Sequence, residues 1–277
     1  MKRIPRLLPA LPVYYRWYDR LGWWLLRLAA LAVLAYLVLP IVAIVPLSFS
    51  DSSFLAYPIE SWSLRWYREL AAAPEWARAA RNSFIVAPAA TVLATVLGTL
   101  AAMGLARARF PGKELINSLI VLPMVVPVIV VGVGSYLYFA RLGLNDSYLG
   151  LILVHAALGA PFVVTTVTAT LQNFNPNLVR ASLSLGASPW QTFVRVTLPV
   201  IAPGVISGAL FAFATSFDEV VVTLFLAGPQ QVTLPRQMFT GIRENISPTI
   251  AAVATLLTLF TTALMLTLEW LRGRSRR

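Results

Sequence analysis

The 277-residue sequence has no cysteine, a single histidine at His155, and charge on only 12% of its residues. Without cysteine there can be no disulfide framework, thiolate zinc site, iron–sulfur cluster or cysteine nucleophile. With one histidine, a histidine-based catalytic or metal cluster is ruled out as well. Acids are scarcer still, 11 against 22 Lys+Arg, for a net charge of +11. What the chain has in excess is apolar surface: 58% of its residues are hydrophobic and its mean hydropathy is +0.75. That is far above a soluble domain of this length, so the chain reads as a membrane protein in which the position of each charge carries information.

About 20 apolar residues cross a hydrocarbon core as a helix. Six stretches meet that test, approximately 24–49, 83–106, 115–140, 148–171, 200–227 and 249–268. None shows the period-2 alternation of a transmembrane barrel, so an all-α polytopic protein with six transmembrane helices is expected. The first stretch is longer than a signal-peptide core and has no small-residue cleavage site, and is expected to be retained.

Six spans return both termini to one side. That side carries 15 basic residues against three acids, counting Lys2, Arg3, Arg6, Arg16, Arg20, Arg27, Arg107, Arg109, Lys113, Arg180, Arg195, Arg272, Arg274, Arg276 and Arg277. The opposite side carries seven against six. By the positive-inside rule both termini are expected to be cytoplasmic. Residues 1–23 then form a basic cytoplasmic N-terminus, 24–271 the six-span domain and 272–277 a basic tail anchored on lipid. High pI here reports orientation, and nucleic acid is not an expected partner.

Most connections are short, but residues 172–198 form a long cytoplasmic loop, and long loops in compact proteins usually carry function. Asn175 before Pro176 predicts a helix start, Gly186 a left-handed stop, and Ser188-Pro189-Trp190-Gln191 a capping box. The second helix is expected to stop before Pro199. The helix–turn–helix so formed would expose Leu183, Leu185, Trp190 and Phe193 with Arg180 and Arg195. One reading is an amphipathic element resting on lipid. The other is a knob that fits a groove on a cytoplasmic partner.

Arg180-Ala181-Ser182, then Gly186-Ala187-Ser188, then Leu198-Pro199 resemble the EAA loop of ABC-importer permeases of the binding-protein-dependent transport family. The glycine and Leu-Pro spacings follow that pattern. Arg180 stands where the family usually has glutamate, and Ser182 where it usually has the second alanine. Ser63-Leu64-Arg65-Trp66-Tyr67, Ala106-Arg107-Ala108-Arg109-Phe110-Pro111-Gly112 and Ser216-Phe217-Asp218-Glu219-Val220-Val221 resemble the spermidine/putrescine-type branch. The resemblance implies a type I ABC importer permease fold with a coupling-helix loop. It also implies a bacterial inner-membrane location, a second permease subunit, two cytoplasmic ATPase subunits and a periplasmic binding protein delivering a small solute, either a cation such as a polyamine (putrescine or spermidine) or another small solute such as an amino acid derivative.

Uphill transport needs an energy source, and this chain carries no P-loop. Its only Gly-Lys pair, Gly112-Lys113, is followed by Glu114, and Arg107 stands where the motif needs its first glycine. ATP hydrolysis is therefore expected in a separate subunit. No cofactor, metal ligand or catalytic residue is expected in this one.

Asp218 and Glu219 are the only acids inside a predicted span, where a carboxylate needs compensation. In a continuous helix they point about 100° apart. Phe211, Ala214, Asp218 and Val222 would share a more apolar stripe, and Gly208, Ala212, Thr215, Glu219 and Thr223 a small and polar one. Carboxylates beside aromatic faces suit a cation shedding water, which makes Asp218, Glu219 and Phe211 substrate-path candidates. His155, at comparable depth, joins them as a candidate or as a hydrogen-bonded structural residue. The bland alternative pairs an acid with a neighbouring helix or with Arg141 or Arg236. Pro123, Pro127 and Pro161 are candidate kinks, Gly204 and Gly208 a helix-packing pair, and residues 50–78 an interfacial helix.

Two other classes compete. A polytopic membrane enzyme needs converging nucleophiles, acids or ligands that this composition does not supply. An ion-coupled secondary transporter would use Asp218 or Glu219 as a proton site, and commonly shows internal repeats that are not visible here.

Overall fold

The computed structural model describes residues 16–107, 110–244 and 247–275. Lys2, Arg3, Arg6, Arg109, Arg276 and Arg277, which entered the charge argument, lie outside the described residues. No β-strand occurs among the described residues; Ser50 and Trp62 form an isolated antiparallel bridge. The chain divides into two compact units, residues 1–70 with 247–277, and residues 71–246.

In the first unit, helix α1 (Trp17–Leu47) is apolar all round from Leu28 onward and none of its most hydrophobic window is buried, as suits a helix whose solvent is lipid. Past its end, the Ser50–Trp62 bridge closes a loop. Trp66 Nε1, in α2 (Arg65–Ala72), donates to the Ser50 carbonyl at 2.7 Å, and Tyr67 OH lies 2.7 Å from Ser48 Oγ. The stretch expected as one interfacial helix is thus half bridge-closed loop and half helix. Thr249, near the start of α12 (Pro248–Ser275), donates to Glu69 Oε1 at 3.4 Å.

The second unit is built on three helices: α3 (Pro74–Arg107), α6 (Tyr148–Gln172) and α9 (Leu198–Phe217). Its core is small and aliphatic, with Ala90, Ala94, Ala156, Val163, Val167, Ile201 and Ala212 buried together. Small residues let membrane helices approach closely where no hydrophobic effect drives them together. Steps of four up α9 meet steps of four down the antiparallel α6. A β-carbon on Gly208 would stand 2.7 Å from Val163 Cα, and one on Gly159 would stand 2.9 Å from Ala212 Cβ. The expected packing role of Gly204 and Gly208 is therefore realised against α6.

Two expected spans are not single helices. The stretch 115–140 is α4 (Lys113–Val121), a 3₁₀ turn (Leu122–Met124) and α5 (Val128–Leu142), bent by 103°. Pro123 lies in the turn and Pro127 caps α5 with ψ 129°, so two missing amide donors break the helix where kinks were expected. Pro161 stays inside an unbroken α6.

The stretch 200–227 ends as a helix at Phe217 and resumes as α10 (Val221–Leu226), which packs on α5. Gly132 makes that contact, since a β-carbon there would lie 2.8 Å from the Phe225 ring. Buried Asn82 on α3 then ties down the following loop. Its Nδ2 donates to the Gln230 and Val232 carbonyls, each at 2.8 Å, and its Oδ1 accepts from Tyr148 OH at 2.6 Å. The loop leads to α11 (Leu234–Glu244), whose first amide donates to Ser83 Oγ.

Among the described residues, four helices are long and apolar enough to cross a membrane: Trp17–Leu47, Pro74–Ala106, Tyr148–Gln172 and Pro189–Phe217. The bent pair makes a fifth if taken as one span, and Pro248–Ala263 is a shorter apolar helix.

Candidate functional site

Two places hold the residues singled out in the sequence. The first is the connection between α6 and α9. Asn175 Oδ1 accepts the Asn177 amide at 3.0 Å and opens α7 (Asn177–Ser184). At its other end Gly186 adopts φ +84°, a conformation that costs a residue with a β-carbon roughly 1–2 kcal/mol. The Gly186 amide donates to the Leu183 carbonyl and the Ala187 amide to the Ser182 carbonyl, at 3.0 and 3.2 Å, which completes the expected left-handed helix stop.

Helix α8 (Pro189–Thr192) starts with the capping box: Ser188 Oγ accepts the Gln191 amide, and Gln191 Oε1 accepts the Ser188 amide at 3.0 Å. Ser182 Oγ lies 3.0 Å from Thr192 Oγ1 and pins α7 to α8. The outer surface of this hairpin carries Arg180, Ala181, Leu183 and Arg195 in the open, with Leu185 88% and Trp190 70% exposed. Phe193 is half-buried beside Trp190, ring centroids 5.6 Å apart.

The second helix of the hairpin does not stop before Pro199. A π-helical turn, Phe193–Thr197, carries it directly into α9, with Leu198 half-buried and Pro199 exposed in the first turn. The wider turn and the early position of Pro199 accommodate its missing amide donor, so the proline no longer acts as a stop. Residues 180–188 are thus gathered in the hairpin, while Leu198 and Pro199 lie beyond it on a continuous run.

The second place is the break between α9 and α10. The Asp218 amide donates to Ala214 O at 3.1 Å as the last helical bond of α9. Glu219 Oε1, one residue ahead of the α10 N-cap Val220, then accepts the Val222 amide in the first turn at 2.9 Å. The acids therefore sit in a break rather than in a continuous helix, and their expected stripes end there. Phe211, Ala214 and Asp218 share an exposed face, but Val222 is buried; Glu219 is half-buried. Phe162 of α6 stacks on Phe211 at 5.9 Å and 21° between planes.

His155 is 1% exposed and reaches both sides of the break. Its Nδ1 lies 2.8 Å from Ser216 Oγ and its Nε2 3.3 Å from Thr223 Oγ1. Arg236, one of the arginines expected near the acids, instead donates to the Ala227 carbonyl. Burial pushes its guanidinium below the ordinary arginine value, and the nearby Asp146 charge opposes that shift.

Sequence reasoning missed Phe162 as the partner of Phe211, and Ser216 and Thr223 as the partners of His155. The signal available was the spacing of 155, 159 and 163 against 208, 212 and 216, with glycine or alanine at the tight rungs.

Residues 94–277 match the family described as "Binding-protein-dependent transport system inner membrane component". The chain belongs to that family. It is a permease subunit of an ABC importer, a multi-pass inner-membrane transport component and not an enzyme.

The permease is 32% identical over 226 residues to the spermidine/putrescine transport system permease protein PotC of Escherichia coli (strain K12), covering 82% of this chain and 85% of that one. It is 34% identical to the putrescine transport system permease protein PotI of the same strain, covering 80% and 81%. It is also 29% identical to the sulfate transport system permease protein CysT of that strain, covering 78% and 83%. Its fold is similar to a chain of a bacterial ABC transporter involved in the import of the acidic polysaccharide alginate, with a TM-score of 0.73 at 14% identity over 95% of this chain and 99% of that one.

Proposed function

We propose that this permease lines the path for a small cationic solute of the polyamine class, putrescine or spermidine, and that Asp218 receives the cation. The observation that carries this reading is the open face at the end of α9, where Asp218 follows the stacked Phe211–Phe162 pair. Asp218 lies seven positions after Phe211, about 10 Å along a helix. A diamine or longer polyamine has charges spaced along an apolar chain, so one ammonium can meet the carboxylate while another lies over a ring. The likeness to PotC and PotI supports the same class. Glu219 and His155 belong to the wall of this site: Glu219 spends a carboxylate oxygen on the Val222 amide, and His155 is enclosed.

Energy would enter through the 172–198 hairpin, lying on the cytoplasmic face with both termini. Arg180, Ala181, Ser182, Gly186, Ala187, Ser188, Leu198 and Pro199 mark the coupling segment. Exposed Leu185 and Trp190 would fill a groove on a cytoplasmic ATPase, with Arg180 and Arg195 setting register. A second permease would complete the path, and a periplasmic binding protein would deliver the substrate. One of the solved structures with this fold is described as an alginate ABC transporter in complex with a pentasaccharide-bound periplasmic protein.

The likeness to CysT is the one observation favouring a non-amine solute. A dianion would meet repulsion at Asp218, and uptake decides between them. The complete transporter, reconstituted with its ATPase and binding protein, is expected to accumulate labelled putrescine or spermidine only with ATP. Asp218→Asn is expected to raise the KM about tenfold or more, the scale of a lost charge-assisted contact. Sulfate uptake, or polyamine uptake indifferent to Asp218→Asn, overturns the assignment. Uptake by this subunit alone on an ion gradient would establish a secondary transporter instead.

A further inference from the structure

The ladder between α6 and α9 changes character at its last rung. Gly208 meets Val163 and Ala212 meets Gly159, both at backbone distance. Four residues on, Ser216 meets His155 through a hydrogen bond of 2.8 Å instead of a packing contact. One residue later α9 ends.

The imidazole does not serve α9 alone. Its other nitrogen is 3.3 Å from Thr223 Oγ1 on α10, and Thr223 Oγ1 also lies 3.2 Å from the Glu219 carbonyl. His155 therefore contacts the chain two residues before the acid pair is reached and four residues after it. A neutral imidazole has one donor and one acceptor, and each hydroxyl can act as either, so both contacts can be satisfied together.

The break needs such a tie. Asp218, Glu219 and Val220 lie between two helices: the Asp218 amide bonds back to Ala214, while the Glu219 carboxylate accepts the Val222 amide, the Glu219 carbonyl accepts Thr223 Oγ1 and the Val220 carbonyl accepts the Leu224 amide, so each of these bonds belongs to one flank and none joins the two. Around them the packing is rigid. Phe217 is stacked on Phe213 at 5.4 Å and meets Phe84 edge-on at 5.7 Å, while α10 is held on its far side by the Phe225–Gly132 contact. The imidazole joins these two rigid flanks, and the acids are what lies between.

The geometry points to His155 as a positioning residue: it clamps Ser216 on α9 to Thr223 on α10 and thereby fixes the direction in which Asp218 faces the open surface. This deepens the proposed function and rests on Asp218 as the cation-receiving group. His155 itself, being enclosed, does not touch the solute.

The absence of cysteine provides a reporter that does not depend on transport. Asp218→Cys gives this subunit a single thiol, and its rate of modification by a cationic methanethiosulfonate reagent is measured in the assembled, detergent-solubilised transporter by mass spectrometry of this chain. Adding His155→Leu, which keeps bulk and removes both hydrogen bonds, is expected to change the rate about tenfold, the scale of one lost buried hydrogen bond. His155→Gln retains a donor and an acceptor and is expected to bring the rate back toward the parent.

Thr223→Val and Ser216→Ala each remove one hydroxyl with little change of shape. Each is expected to shift the rate, which covers the case in which His155→Leu does not assemble. In the Asp218 parent, His155→Leu is expected to raise the uptake KM more than it lowers kcat, with His155→Gln restoring it. Thiol rates that ignore all of these substitutions, or glutamine behaving like leucine, overturn the clamp. If the thiol rates respond while Asp218→Asn leaves polyamine uptake unchanged, the clamp stands and the substrate assignment fails.

Discussion

Gly159 of α6 faces Ala212 of α9 across a gap that has no room for a methyl group: a β-carbon on Gly159 would stand 2.9 Å from Ala212 Cβ and 3.2 Å from its Cα. The backbone of α9 cannot yield cheaply, because Gly208 touches Val163 one turn away. Overpacking of this kind costs typically 1–3 kcal/mol. Gly159→Val is expected to lower the unfolding temperature of the purified subunit in detergent, and Ala212→Gly to restore part of the loss. Gly134→Ala on α5, where nothing lies within 4 Å, should leave the transition unmoved.

Asn82 supplies a sharper test of polarity against shape. Its amide nitrogen serves the carbonyls of Gln230 and Val232 at once. Asn82→Asp keeps the outline and turns that donor into an acceptor facing two carbonyl oxygens. It should destabilise at least as much as Asn82→Ala, by about 1–3 kcal/mol or more. The local readout is hydrogen exchange over residues 227–234, which should quicken in both variants; slower or unchanged exchange in the aspartate variant would show that Asn82 does not hold the loop.

In the hairpin, folding and the proposed coupling can be tested apart. Ser188→Ala removes the acceptor for the Gln191 amide and should cost about 0.5–2 kcal/mol of local stability. Trp190→Ala, at a side chain 70% exposed, should leave the melting transition within about 0.5 kcal/mol of the parent. In the reconstituted transporter the order should reverse, Trp190→Ala losing more ATP-driven uptake than Ser188→Ala. Full uptake in the Trp190 variant would rule out docking through this face.

Legibility followed the range of the interaction. Asn175, Gly186 and the Ser188/Gln191 box act within a few residues, so their outcome was readable from spacing alone. Pro123 and Pro127 marked the right place in the third span, but a 103° bend needs both prolines to act together with the 3₁₀ turn between them. The break at Asp218 was hidden because hydropathy averages over windows longer than three residues, and Glu219 looks like a buried charge until its carboxylate is seen to accept the Val222 amide. Pro199 misled for a related reason, since a π-helical turn ahead of it removes the penalty that makes proline a stop. His155 was legible as a hydrogen-bonded residue, but its partners are 61 and 68 positions away and only the pairing of α6 with α9 and α10 identifies them.

The unbroken passage from α8 through the π-helical turn into α9 makes residues Pro189 to Phe217 one stiff strut of 29 residues, about 43 Å at the rise of a helix. Trp190 stands at one end and Asp218 just past the other. A flexible linker at Pro199 would have let the hairpin rock without consequence. A strut has less slack: under the proposed coupling, axial thrust or torque on Trp190 would reach the carboxylate as displacement, less what the five π-helical residues absorb by rewinding. The elasticity of that single turn would then set how much of a push on the hairpin is delivered.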